Sequence, residues 1–181
     1  MNKTLWVFGY GSLIWNPGFV PEEQALGRLK GWHRSFCMTS IHYRGTMRNP
    51  GLVLALDAQE NAVCAGVALR AKAGEEAQVL SYLRARELVS DAYEERLLPV
   101  ALADGRVVEA VTYVIDPANT QYCHHPLEDQ AQIIARSCGK MGPNCEYLYN
   151  TAQHLGRLGI ADPDLDWLAA RVRHLAEEAR G

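Results

Sequence analysis

Glu87 sits where a surface carboxylate does not belong. In "GEEAQVLSYLRARE" (74–87), Val79, Leu83 and Glu87 follow at steps of four, so a helix over 74–88 puts them on one face. At ~100° per residue, Glu87 falls between Leu83 and Leu80, inside the apolar stripe. A carboxylate there is either partly desolvated or at the frayed end where the stripe leaves the core. It also occupies the last helical turn, where the macrodipole opposes negative charge. Both effects raise its pKa toward the range useful for proton transfer at neutral pH. Arg84 and Arg86 flank it, and an ordinary salt bridge with one of them is the alternative use of the same group.

A second candidate lies in "TLWVFGYGSLIWNPGF" (4–19). Leu5, Trp6, Val7 and Phe8 read as a buried strand, and Gly9-Tyr10-Gly11-Ser12 interrupts it. Successive backbone N–H groups at a glycine-bent strand end form a concavity for an anion such as a carboxylate. Ser12 adds a hydroxyl and Tyr10 an aromatic wall. A bulge or tight barrel corner would use the same glycines for geometry alone. The dinucleotide fingerprint needs a third glycine at position 14, which is Ile14, and no Walker A motif is present. Ser12 lacks the G-x-S-x-G elbow of a hydrolase nucleophile.

A third candidate is "GKMGPNCEYLYNTA" (139–152), a sharp loop running into a helix near Asn144. Tyr147 in its first turn could aim a phenol into a cleft, or be the half-buried tyrosine of a capped helix. Cys123-His124-His125 are adjacent, and adjacent side chains rarely converge on one ion. No second cluster at ligand spacing supports them, so neither a metal nor an organic cofactor is expected.

The elements that position these residues follow from the hydrophobic pattern. Strands are expected at 4–9, 28–40, 51–57 and 62–70, the last two as a hairpin turning at Ala58–Asn61. After the helix 74–88 come strands over 95–103 and 106–116, joined at Asp104-Gly105. The last third reads as helices: 126–138 with proline at its first position, one capped by Asn144, and one capped by Asp162 with Pro163 behind it. In the final helix Leu165, Leu168, Val172 and Leu175 form the buried stripe. Strands followed by helices define an α+β fold. With 181 residues and no linker-like tract, one domain over 1–181 is expected. A net charge of −3 offers no basic field for nucleic acid. No apolar run approaches the ~20 residues that span a bilayer, so no membrane partner is expected. Five irregularly spaced cysteines and the lack of a leader-like start at Met1 point to reduced thiols and a cytoplasmic location.

Together, "WVFGYGSLIW" (6–15), Arg44-Gly45 followed by "NPGLVLALD" (49–57), "YLRARE" (82–87) and "GPNCEYLYNT" (142–151) resemble the ChaC-like gamma-glutamylcyclotransferases from about residue 5 to about 175. The resemblance implies a small mixed β-barrel with surrounding helices. It implies cleavage of glutathione to 5-oxoproline and cysteinylglycine without metal or cofactor. Glu87 would be the proton acceptor. Val7, Phe8, Gly9, Tyr10, Gly11, Ser12 and Leu13 would form the substrate loop, with Tyr93 and Tyr147 lining the pocket. Leu88–Ala92 departs from the glycines that some members carry before the tyrosine, which bears on pocket closure and leaving-group choice. The alternatives are a cyclotransferase for other gamma-glutamyl amino acids or amines, and a non-catalytic binding module of the same fold. The charged outer face of the last helix suits a monomer.

Overall fold

In the computed structural model, which describes residues 3–181, the first strand β1 (Trp6–Gly9) is buried along its whole length. That is what four residues with two sheet neighbours require: β1 pairs antiparallel with β3 (Gly51–Arg70) and parallel with β5 (Val107–Ile115). With β2 (Glu23–Ser40) and β4 (Tyr93–Leu102), these strands close a barrel in the order β1-β3-β2-β4-β5. The expected α+β class holds, and closure removes the exposed edges that a flat sheet would leave. The turn at Asp104-Gly105 is also found, with Gly105 at φ +94 and its N–H donating to Leu102 O.

Two compact units share this framework. The first holds the chain to Ser35 together with Ala55–Asn119, and the second holds Phe36–Leu54 with Thr120–Gly181. In the first, the helix α2 (Glu76–Glu87) presents Val79 and Leu83 to a cluster containing Val7, Leu13, Val111 and Tyr113. In the second, α3 (Leu127–Arg136), α4 (Asn144–Arg157) and α5 (Pro163–Glu178) pack on one another. The ribbon β6 (Cys138–Gly139) and β7 (Gly142–Pro143) precedes α4.

Three local expectations change. The hairpin over 51–70 is one unbroken strand. Ala58–Asn61 are exposed and Asn61 adopts φ +66, so their polarity marks a solvated kink in β3 rather than a reversal. Pro126 is the residue before α3, not its first position. Asn144 does not cap α4; Pro143 precedes the helix, and the fully buried Asn144 amide turns to β3. There its Oδ1 accepts from Leu52 N at 2.8 Å and its Nδ2 donates to Leu52 O at 2.7 Å, replacing a missing strand neighbour. Asn144→Ala strands both backbone groups, at about 1–3 kcal/mol each, so a loss of roughly 2–6 kcal/mol is expected by urea denaturation. Asp162 does cap α5, accepting from Leu165 N at 3.1 Å, with Leu165, Leu168 and Val172 buried beneath it.

Candidate active site

The apolar stripe of α2 sets the site. Val79 and Leu83 are buried against Val7, Val111 and Tyr113, and one further turn along the same face carries Glu87 to the edge of that layer. Its side chain keeps only 14 % of its accessible surface. Removal from water raises its carboxyl above the ordinary range, opposed by the nearby positive charge of Arg86. Arg86 Nε lies 3.3 Å from Glu87 Oε1. Desolvation and the salt bridge are both present at Glu87, and desolvation is the larger influence on the proton.

A second carboxylate on the same side behaves oppositely. Glu95 on β4 lies directly across from Tyr113 on β5. Arg84 grips it with two bonds, Nε to Oε2 at 2.9 Å and Nη2 to Oε1 at 2.7 Å, and the Tyr113 phenol donates to Oε2 at 3.1 Å. These bonds, the Arg84 pair first, hold Glu95 below the usual carboxylate range. Burial keeps the Tyr113 phenol protonated, and the charges of Glu95 and Glu87 push its pKa further up. The two carboxylates that act on this phenol have their proton affinities driven apart, Glu95 downward by its bonds and Glu87 upward by burial.

The loop after β1 is held from several directions. Gly9 closes the strand opposite Val67, and the one-turn helix α1 (Ser12–Trp15) follows at once. The Tyr10 hydroxyl donates to Tyr113 O at 2.7 Å, and Tyr10 O accepts from Arg34 Nη1 at 3.2 Å. Arg34 is itself buried and also donates to Ala65 O at 2.8 Å. Ser12 Oγ accepts from Arg86 Nη2 at 2.9 Å. One compact unit therefore contains the loop, Glu87, and the side chains that fix both.

Not every expected residue contributes a side chain here. Val7, Phe8 and Leu13 belong to the core, so what they can offer a ligand is backbone. Tyr10 is 7 % exposed and works chiefly as a brace. Tyr93, at the start of β4, is half-buried against the same apolar cluster. Leu88 and Val89, in the departing segment, are exposed. Tyr147 lies in the second unit, where its hydroxyl accepts from Leu54 N at 3.1 Å and its ring meets Phe36 edge-on. Among the described residues no His, Cys, Asp or Glu cluster suits a metal, and no helix is long and apolar enough to cross a membrane.

Sequence reasoning passed over Arg34, Glu95 and Tyr113. Arg34 had a signal: it alternates with Phe36 and Met38 at period two, so it shares their inward strand face. Glu95 and Tyr113 become partners only through the β4–β5 register.

Residues 5–175 match the family described as ChaC-like protein. A glutathione-specific gamma-glutamylcyclotransferase of Escherichia coli K12 is 37 % identical over 178 residues, covering 96 % of this chain and 75 % of that one. Gamma-glutamylcyclotransferase 2-3 of Arabidopsis thaliana is 36 % identical over 183 residues, covering 97 % and 92 %. Among solved structures, a gamma-glutamyl cyclotransferase from yeast specific to glutathione superimposes with a TM-score of 0.86 at 24 % identity, covering 96 % and 97 %. That likeness bears on the fold.

Proposed function

This chain belongs to the ChaC-like family, and from that premise we propose that it cleaves glutathione to 5-oxoproline and cysteinylglycine, with Glu87 carrying the proton. The observation that supports this most is the pair of opposed carboxylates. Of the two, Glu87 has its proton affinity raised by burial, and Arg86 links it to Ser12 in the loop after β1.

The substrate brings its own nucleophile. The α-amine of a gamma-glutamyl group attacks the γ-carbonyl carbon, closes a five-membered lactam and expels the cysteinyl amine. Folding the glutamyl chain into attack geometry contributes several kcal/mol of the barrier reduction. Glu87 takes two protons in succession from the α-nitrogen, one from the ammonium before attack and one on ring closure, and hands each to the departing nitrogen. The ammonium becomes a lactam N–H, the amide N–H becomes the cysteinyl ammonium, and atoms and charge balance without an external reagent. Backbone N–H groups of 9–12 and the Ser12 hydroxyl hold the glutamyl end and the developing oxyanion. Tyr93 forms an apolar wall. The relatives' names support glutathione as substrate. The same reading takes the protein as a cytoplasmic monomer acting on this small molecule; its five cysteines are free thiols.

Purified protein incubated with reduced glutathione is expected to release 5-oxoproline and cysteinylglycine in equal amounts. Turnover of gamma-glutamyl amino acids or amines in preference to glutathione would replace the substrate while keeping the reaction. Absence of 5-oxoproline from every such compound would leave a binding module and end this reading.

A further inference from the structure

Arg86 touches both halves of the site. Its guanidinium reaches from α2 back to the loop after β1, where Nη2 donates to Ser12 Oγ at 2.9 Å and Nη1 donates to Asn16 O. Nη1 also donates to the Tyr82 hydroxyl at 3.3 Å, and Nε faces Glu87 Oε1. One turn earlier on α2, the Tyr82 ring lies over Gly18. Gly18 has φ +77, and a Cβ there would stand 2.0 Å from the Tyr82 hydroxyl oxygen. The pair Tyr82 and Arg86, four residues apart, thus clasps the chain from Ser12 to Gly18.

A guanidinium presents its donors in a fixed planar fork, so one side chain can bind several acceptors without choosing between them. Ser12 Oγ is fixed as an acceptor toward this cation, which directs its own proton elsewhere and polarises it for donation. We propose that Arg86 is a positioning residue that locks the Ser12–Gly18 segment to Glu87, so that hydroxyl and carboxylate meet the gamma-glutamyl group as one rigid unit. The proposal rests on Glu87 being the proton carrier.

Its charge has a second consequence. Arg86 lowers a proton affinity that burial has raised. The other charged and titratable groups linked to Glu87 are the Tyr113 phenol of β5, Glu95 of β4, to which that phenol donates, and Arg84, which neutralises Glu95. Tyr10 braces the Tyr113 carbonyl and Tyr93 packs on the apolar cluster beneath α2. Arg86 is thus the cation that opposes the effect of burial on Glu87.

The test is the pH profile of kcat/KM, with KM and kcat separated, for R86Q and R86K. R86Q removes both charge and fork. Its acidic limb is expected to move to higher pH, and KM to rise roughly tenfold or more as the charge-assisted bonds to the loop are lost. R86K keeps the charge without the fork, so its acidic limb is expected to stay near the parent's while KM still rises. If R86Q fails to fold, R86K carries the test by the same KM rise. Unchanged KM in R86K, or a uniform loss in R86Q with an unmoved limb, overturns the proposal. An E87Q variant read alongside keeps the two readings apart. An active E87Q sinks the proton-carrier reading, whereas an inactive E87Q beside parent-like Arg86 variants sinks only the coupling.

Discussion

Glu87→Gln is expected to fold, to lose cyclising activity by roughly a hundredfold to ten-thousandfold, and to be more stable than the parent at neutral pH. The activity loss follows because the amide keeps the shape but cannot accept the ammonium proton. The stability gain separates a proton carrier from an ordinary salt bridge. Glu87 is held in a site that disfavours its charge, and its folded pKa is raised by burial. A group of that kind stabilises the fold fully below its unfolded pKa, about 4.3 for glutamate. That contribution is lost as pH rises through the higher folded value. The neutral glutamine mimics the protonated form at every pH. The difference in Tm between E87Q and parent should therefore be positive at pH 7 to 8 and shrink as pH falls toward about 4.

Arg86 does not upset this sign. In E87Q it keeps Ser12, Asn16 and Tyr82 as acceptors, and the new amide oxygen can accept from Nε. The parent enzyme's kcat/KM should likewise fall on the acid side through a pKa above that of a free glutamate. Thermal unfolding and 5-oxoproline release across that pH range check both. A less stable E87Q that retains most of its activity would mean that Glu87 is only half of a salt bridge.

The helix face bearing Glu87 was legible because 3.6-residue periodicity is local: two steps of four place a carboxylate on the face of two buried residues whatever the rest of the chain does. The partner of that carboxylate was not. Arg84 and Arg86 are symmetric in sequence about the stripe, and the β4 strand breaks the symmetry by offering Glu95 to Arg84. That leaves Arg86 facing the loop. Glycines at 9 and 11 announced a bend, but its bracing comes from Arg34 and from the Tyr113 carbonyl, which are 24 and 103 residues away from Tyr10. The polar run at 58–61 misled for a related reason. Turn composition also suits a solvated kink, and only pairing along both flanks of β3 decides between them. Asn144 misled similarly: its type and place suit a helix cap, but an unpaired strand edge at Leu52 competes for the same amide.

Gly66→Ala should damage catalysis more than its size suggests, because the strand β3 passes against the chain where the loop proposed to hold the substrate begins. A Cβ on Gly66 would stand 2.4 Å from Gly9 O and 2.8 Å from Phe8 Cζ. Phe8 is fully buried and cannot swing away, and Gly9 O is backbone. The strands β1 and β3 must therefore part locally, which costs about 1–3 kcal/mol as overpacking does elsewhere. The displacement lands on Gly9-Tyr10, upstream of Ser12, and shifts of about 1 Å in a positioning element can cost roughly a hundredfold in rate. We expect kcat/KM to fall at least tenfold at a temperature well below the variant's Tm, where the protein is still folded. Gly156→Ala is the control. That glycine lies in α4 with open space around its Cβ position, so alanine should be neutral or stabilise by up to about 1 kcal/mol with kcat/KM intact. A folded Gly66→Ala protein with parent-like kcat/KM would show that the exact path of the chain through Gly9 does not matter to the reaction, and the loop would lose its assigned part in holding the substrate.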